Sequence, residues 1–204
     1  MRASVLVATC LIAQAGHADE QDWQQVTVKD NVTVERRVVA GSKLYETRAL
    51  TSSPLAPDQI FAVLWDRRAY TEFVPYIKYQ DVLKETEDEV LVYDQVKVPL
   101  VTDRDYVVWV KREIDQQSKV HKIMFRSADP EGPPQAKGHV RARNIRGSWL
   151  LEPRPAGGTA ITYTLYSEPG GWIPNWIVNL IQKKEVPKFL RLMLRRAEEK
   201  SAKR

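Results

Sequence analysis

The chain has 204 residues, 31 basic against 26 acidic, a net charge of +5 and 43% hydrophobic content. These are the proportions of one globular domain able to bury its own core, and they exclude a collagenous, low-complexity or disordered chain. One cysteine, Cys10, and three histidines exclude an internal disulfide or a thiolate metal cage and lean away from metal or acid–base catalysis.

Residues 1–18, MRASVLVATCLIAQAGHA, begin with a short positive end at Arg2 and continue in an apolar run from Ala3 to Ala15. Small residues follow at Ala13-x-Ala15 and Gly16-x-Ala18. This is the pattern of a signal peptide, and the run is too short to span a bilayer. The expectation is an exported protein, periplasmic in a Gram-negative bacterium, with a mature domain over residues 19–204 that has no cysteine. A buried N-terminal helix is the alternative.

From Trp23 to Thr51 short valine-rich segments alternate with turn signals at Asp30-Asn31 and Gly41-Ser42, which predicts antiparallel strands. Asp58 is then a candidate N-cap for a helix carrying Ile60, Val63 and Leu64 on one face. From Tyr76 to about Ser167 the period returns to two. Val90, Val92, Val96 and Val98 alternate with Leu91, Tyr93, Gln95 and Lys97, and further strands are expected over 106–110, 120–125, 140–151 and 160–167. Pro174 to Lys203 is helical, with Trp176, Ile177, Leu180 and Ile181 leading to Val186, Phe189, Leu190, Met193 and Ala197. Pro187 should kink it. The class is α+β, and a single curled antiparallel sheet gripping one long helix leaves room for a cavity.

Five stretches carry a resemblance. Tyr70-Thr71-Glu72-Phe73-Val74-Pro75 with Asp81-Val82-Leu83 looks like the helix-to-strand passage of the Bet v 1-like superfamily. Pro99 followed by Asp103-Arg104-Asp105-Tyr106-Val107 resembles the signature of START (steroidogenic acute regulatory protein-related lipid transfer) domains. Lys137 to Ala142, Ser148 to Pro153, and Glu168 to Asn179 resemble that family's paired strands and the approach to its last helix. The resemblance covers about Asp22 to Ala197 and implies a helix-grip fold: a curved antiparallel sheet around a long C-terminal helix, with one lipid in the internal cavity. Its walls are expected from Asp94, Val96, Val98, Val110, Phe125, Arg141, Trp149, Tyr163, Leu165, Trp176 and Leu180. The lid is expected at Pro99, Leu100 and Val101, moving with the helix. Sterol-handling members pair a buried acid with a buried arginine; Asp94 fits the acid, but Val110 stands at the arginine position, so ligand identity is not carried over.

Asp94 lies on an apolar strand face, where an unpaired carboxylate is costly, so it either meets a basic group or greets a ligand. Arg104-Asp105 reads as a fold-holding ion pair. Arg141 and Arg143, with Lys137 and His139, form a basic stripe that is either solvated or an anionic headgroup site. Trp172 and Trp176 are either core residues or the cavity mouth, and His121 reads as a satisfied core histidine. Residues 183–204 hold nine basic against three acidic residues, leaving the rest of the chain nearly neutral. Lys183, Lys184, Lys188, Arg191 and Arg195 are thus candidates for docking on an anionic membrane.

No nucleophile elbow, zincin helix, P-loop or dinucleotide turn is present. The expected function is non-catalytic lipid binding and transfer by a monomer, with no cofactor, no metal and no nucleic-acid partner. Two alternatives stay open. A polyketide cyclase or aromatase-like enzyme would use Asp94, His121 and Arg141 as acid and base, and an interaction module would have a filled core.

Overall fold

The computed structural model describes residues 22–203; the leader-like segment and Cys10 lie outside the described residues. Strands β1 (Gln24–Lys29), β2 (Val32–Val38) and β3 (Tyr45–Ser53) precede helices α1 (Pro57–Trp65) and α2 (Tyr70–Phe73), with a 3₁₀ turn over Arg67–Ala69 between the helices. Strands β4 (Ile77–Glu85), β5 (Glu89–Val96), β6 (Arg104–Ile114) and β7 (His121–Ser127) follow. Then come β8 (Val140–Arg141), β9 (Arg143–Pro153) and β10 (Thr159–Glu168). The chain ends in α3 (Asn175–Leu180), a π-helical turn (Ile181–Glu185) and α4 (Val186–Ser201).

All the strands form one sheet of order β1-β2-β3-β10-β9-β7-β6-β5-β4, antiparallel throughout, except that short β8 pairs in parallel with β6. The β1–β2 hairpin turns on Asp30 and Asn31, whose φ angles of 52° and 61° are those of a tight primed turn matching the twist of the strands. Helix α1 begins two residues earlier than expected. Ala56 is its N-cap, the Gln59 side chain accepts from the Ala56 amide at 2.9 Å, and Asp58 sits inside the first turn instead. The interruption expected at Pro187 takes the form of the π turn just before it, because proline has no amide hydrogen to continue the α-helical ladder.

The sheet buries both faces, unequally. On the concave face Val32, Val34, Val92, Val108, Ile123, Leu151 and Ile161 pack beneath Ile60, Val63 and Leu64 of α1 and Leu190, Met193 and Ala197 of α4. The α4 positions recur at helical spacing, so its basic residues fall on the other side. On the outer face Leu91, Tyr93, Val107 and Ala128 form a second, smaller core beside the 3₁₀ turn at Asp129–Glu131. Strict alternation places Leu91 and Tyr93 on the face opposite Val90 and Val92, and the excursion between β7 and β8 covers them there. Among the described residues no helix is long and apolar enough to cross a membrane, and no cluster of acidic, histidine and cysteine side chains could hold a metal.

Candidate functional site

Strand alternation carries Asp94 of β5 to the concave face, where its side chain is wholly buried. Three elements converge on it. Arg67, from the 3₁₀ turn after α1, approaches its Oδ2 at 3.3 Å, and Gln80 of β4 donates to its Oδ1 at 2.5 Å. The hydroxyl of Tyr106, its cross-strand partner on β6, also hydrogen-bonds the carboxylate. The Arg67 guanidinium lies 4.0 Å from the ring centre of buried Tyr70, and its Nε has no hydrogen-bond partner among the described residues. Burial pushes the Asp94 carboxyl above the usual range, against the pull of Arg67. Burial also works against the Arg67 charge, but Tyr70 and Asp94 outweigh it and raise its affinity for the proton. The Tyr163 hydroxyl, on the same face, is driven well upward by burial.

Around this pair the wall is aromatic. Phe189 of α4 lies 5.8 Å from Trp149, 5.9 Å from Tyr163 and 6.1 Å from Tyr76, ring centre to ring centre. Gly147 of β9 lets the Phe125 ring lie against the sheet, since a Cβ there would fall 2.4 Å from Phe125 Cζ. Val96, Tyr106, Phe125, Leu165 and Phe189 are only half-buried although they belong to the concave side.

Asp105, on the neighbouring strand, points to the outer face. Arg141 forks onto it with two bonds of 2.9 Å, the Ala136 amide donates at 2.8 Å and Tyr93 Oη at 3.1 Å. Burial works to raise this carboxyl, but the Arg141 fork and the Ala136 amide hold it below the usual range. The pair expected within Arg104-Asp105 is therefore not formed; successive residues of a strand point to opposite faces. Asp105 pairs with Arg141 across the parallel β6–β8 register, and Arg104 does something else.

Arg104 is 3% exposed and donates to three carbonyls: Thr102, and Pro169 and Gly170 at 3.2 Å each. It ties the 97–103 loop to the strap that leads into α3. Gly170 holds φ 65°, and a Cβ there would come 2.8 Å from the Arg141 carbonyl, so the strap lies tight on β8. Beyond this knot the chain is apolar and open: Leu100, Trp172 and Trp176 are 77%, 81% and 57% exposed. Whereas α4 packs against α1, β2 and β3, the main neighbour of α3 is the π turn after it.

The START domain family model matches residues 6–203. The chain belongs to this family. The match begins inside the leader-like segment, outside the described residues. An uncharacterized protein of Pseudomonas aeruginosa is 32% identical over 180 residues, 88% of each chain. The mouse phosphatidylcholine transfer protein is 26% identical over 181 residues, 85% of this chain and 83% of that one. A solved STAR-related lipid transfer protein from Xanthomonas axonopodis superposes with a TM-score of 0.78 at 26% identity, over 87% of this chain and 99% of that one. START domains bind and transfer lipids, and the helix-grip fold expected from the sequence is the one observed.

Within this START domain Asp94, Val96, Val110, Phe125, Trp149, Tyr163 and Leu165 share the concave side, with Val98 just beyond the end of β5 and Leu180 half-buried on α3. Two of the expected wall residues lie elsewhere. Arg141 is on the outer face, locked to Asp105, so it neither joins a solvated basic stripe nor reaches the concave side. Trp176 is at the surface with Trp172, and neither is a core residue. Pro99 and Leu100 are exposed and Val101 half-buried, with Leu100 at φ 67°. Lys183 and Lys184 are exposed on the π turn, Lys188 lies 3.9 Å from Glu185, Arg191 pairs with Asp30, and Arg195 lies 3.0 Å from Glu199. His121 is buried, with Nε2 at 2.8 Å from Asp58, remote from Asp94 and Arg141 along the sheet. The sequence reading missed Arg67, Gln80, Tyr70 and Tyr106. The doubled basic residue of Asp66-Arg67-Arg68, interrupting an apolar helix, was the one available signal.

Proposed function

We propose that this domain holds one zwitterionic phospholipid, its headgroup against the Asp94–Arg67 pair and its acyl chains along the apolar concave face, and carries it between membranes. The observation that carries the reading is the pair itself. Two opposite charges lie on the concave side, joined by one 3.3 Å contact instead of a fork, with a guanidinium nitrogen unpartnered among the described residues. Such a pair is complementary to a phosphate and an ammonium group: Arg67 offers free donors to the first, and Asp94 with the surrounding tyrosine rings suits the second. The kinship with phosphatidylcholine transfer protein supports the same ligand class. Burying the acyl chains contributes about 25 cal/mol per Å² of apolar surface removed from water.

Release is assigned to the end of the molecule knotted by Arg104. Leu100, Trp172 and Trp176 would enter the membrane interface, and Lys183, Lys184 and Lys188 would meet anionic headgroups, each near-surface cation contributing on the order of 1 kcal/mol. The leader-like segment suggests that these membranes are reached from the periplasm. Native mass spectrometry of the protein purified from its own source, followed by a fluorescence assay of phosphatidylcholine movement between liposomes, tests the reading. One bound phospholipid per chain, with transfer abolished in Asp94→Asn, is expected. A protein that carries no lipid and takes none from liposomes overturns it.

A further inference from the structure

The outer face of the sheet, far from the lipid side, has a feature that neither the fold nor lipid binding requires. Arg126 of β7 and Arg146 of β9 stand directly opposite each other in the antiparallel register, and both are exposed. Like charges facing across a ladder destabilise it. Among the described residues neither arginine forms an ion pair, although Glu131 lies close enough to feel the charge of Arg126 and Glu168 borders the same cleft as Arg146. Glu168 is already committed: its Oε1 accepts from the Tyr166 hydroxyl at 3.0 Å and its Oε2 from Asn144 Nδ2 at 2.7 Å. Asn144 holds a left-handed φ of 47° in that arrangement.

Arg146 is also held in place. Its guanidinium lies 3.9 Å from the centre of the Tyr166 ring, and Tyr166 is 3% exposed, with its hydroxyl also 3.0 Å from Ser42 Oγ. A guanidinium laid on a fixed ring keeps its edge donors free at little cost in side-chain entropy. This edge borders a cleft of about 560 Å³ between the β2–β3 loop, at Val39 to Ser42, and the ends of β9 and β10. That volume falls in the range of small-molecule sites and exceeds what a bare oxyanion needs.

We propose that this cleft is a second binding site, for a soluble organic phosphate, gripped by Arg146 on the cleft wall and by its cross-strand neighbour Arg126 from beside the cleft, with the remainder of the molecule lying against the β2–β3 loop. A bridging phosphate would convert a repulsive pair into two charge-assisted contacts. The site lies on the opposite face of the sheet from Asp94, so it can fill whether or not lipid is bound.

The test is an amide NMR titration of the whole protein with sn-glycerol 3-phosphate, with a parallel arm using phosphatidylglycerol vesicles. Saturable shifts confined to Ser42, Ser127, Asn144 to Arg146 and Tyr166 are expected. Arg146→Met should weaken binding by about tenfold, and Arg126→Met/Arg146→Met should remove it. Both variants should melt no lower than the parent, since they relieve the like-charge pair. Saturable binding that maps to Lys183, Lys184 and Lys188, or the absence of any saturable shift, overturns the proposal. So does vesicle binding lost in the double variant without any response to glycerol phosphate, which would make the face a membrane contact. The wild-type map stands alone if a variant fails to fold, and lipid loading is not among the readouts, so failure of this site leaves the lipid reading untouched.

Discussion

Asp94 and Asp105 are both wholly buried, on adjacent strands, and each has an arginine, yet they titrate in opposite directions. Asp105 on the outer face receives a two-bond fork, a backbone amide and a tyrosine hydroxyl, which account for nearly all its acceptor capacity. Asp94 on the concave face has one long contact to Arg67, a glutamine and a tyrosine. The difference separates a charge that belongs to the fold from one that does not. A fully satisfied ion pair can be buried by its own domain, whereas a poorly satisfied one is tolerated where something else is to complete it.

The largest expected effect comes from breaking the satisfied pair. Arg141→Met strands the Asp105 carboxylate with only Tyr93 and the Ala136 amide and should lose about 3–5 kcal/mol, a large part of a domain's stability, by urea denaturation at neutral pH. Arg67→Met should cost less, about 1–3 kcal/mol, because Asp94, already held above the usual carboxylate range, can take up a proton instead of remaining charged. Its folded pKa lies above its unfolded one, so the charged form is the penalised form. The Arg67→Met variant should therefore gain stability relative to wild type as the pH is lowered from 7 towards 5. An Arg67→Met loss as large as that of Arg141→Met, with no recovery in acid, would mean that the two faces do not differ.

The acid limb of the stability profile sharpens the contrast. The Asp105 carboxyl is depressed, so its contribution is present above the unfolded carboxylate value and disappears as the pH falls through the folded one. Asp105→Asn should thus flatten the acid loss of stability, whereas Asp94→Asn should flatten the profile above the ordinary carboxylate range, where a raised carboxyl costs stability as the pH rises. Paired denaturation series across pH 2–8 would measure both.

What the sequence revealed follows the range of the interactions. Asp94 was legible as a buried acid because alternation with Val92 and Val96 is local to one strand. Its partner was not, because Arg67 lies 27 residues away in a 3₁₀ turn whose direction depends on how α1 packs. Arg141 was misread for a similar reason: β8 is two residues long and joins β6 in parallel, a register that no periodicity announces. Trp172 and Trp176 were weighed as core by hydrophobicity, but Gly170 and Gly171, at φ 65° and 61°, turn the strap so that both indoles face outward. Resemblance recovered the fold because it integrates weak local patterns over the whole chain, and side-chain partners are what it integrates least.

The smallest effect is the most discriminating, because the two acids each keep a tyrosine. Tyr93→Phe removes one of several bonds to Asp105 and strips Gln95 of its acceptor, so it should cost about 1 kcal/mol and leave phospholipid loading unchanged. Tyr106→Phe removes a comparable bond from Asp94, where burial already disfavours the charge. There the carboxyl should move further up and the stability loss should be smaller still. Phospholipid loading should fall several-fold, because losing this bond weakens the charged carboxylate that would attract an ammonium headgroup. Loading measured by native mass spectrometry beside thermal melts decides it. If Tyr106→Phe behaves like Tyr93→Phe, losing stability and not lipid, then Asp94 serves the fold as Asp105 does, and the headgroup must be sought elsewhere on the concave face.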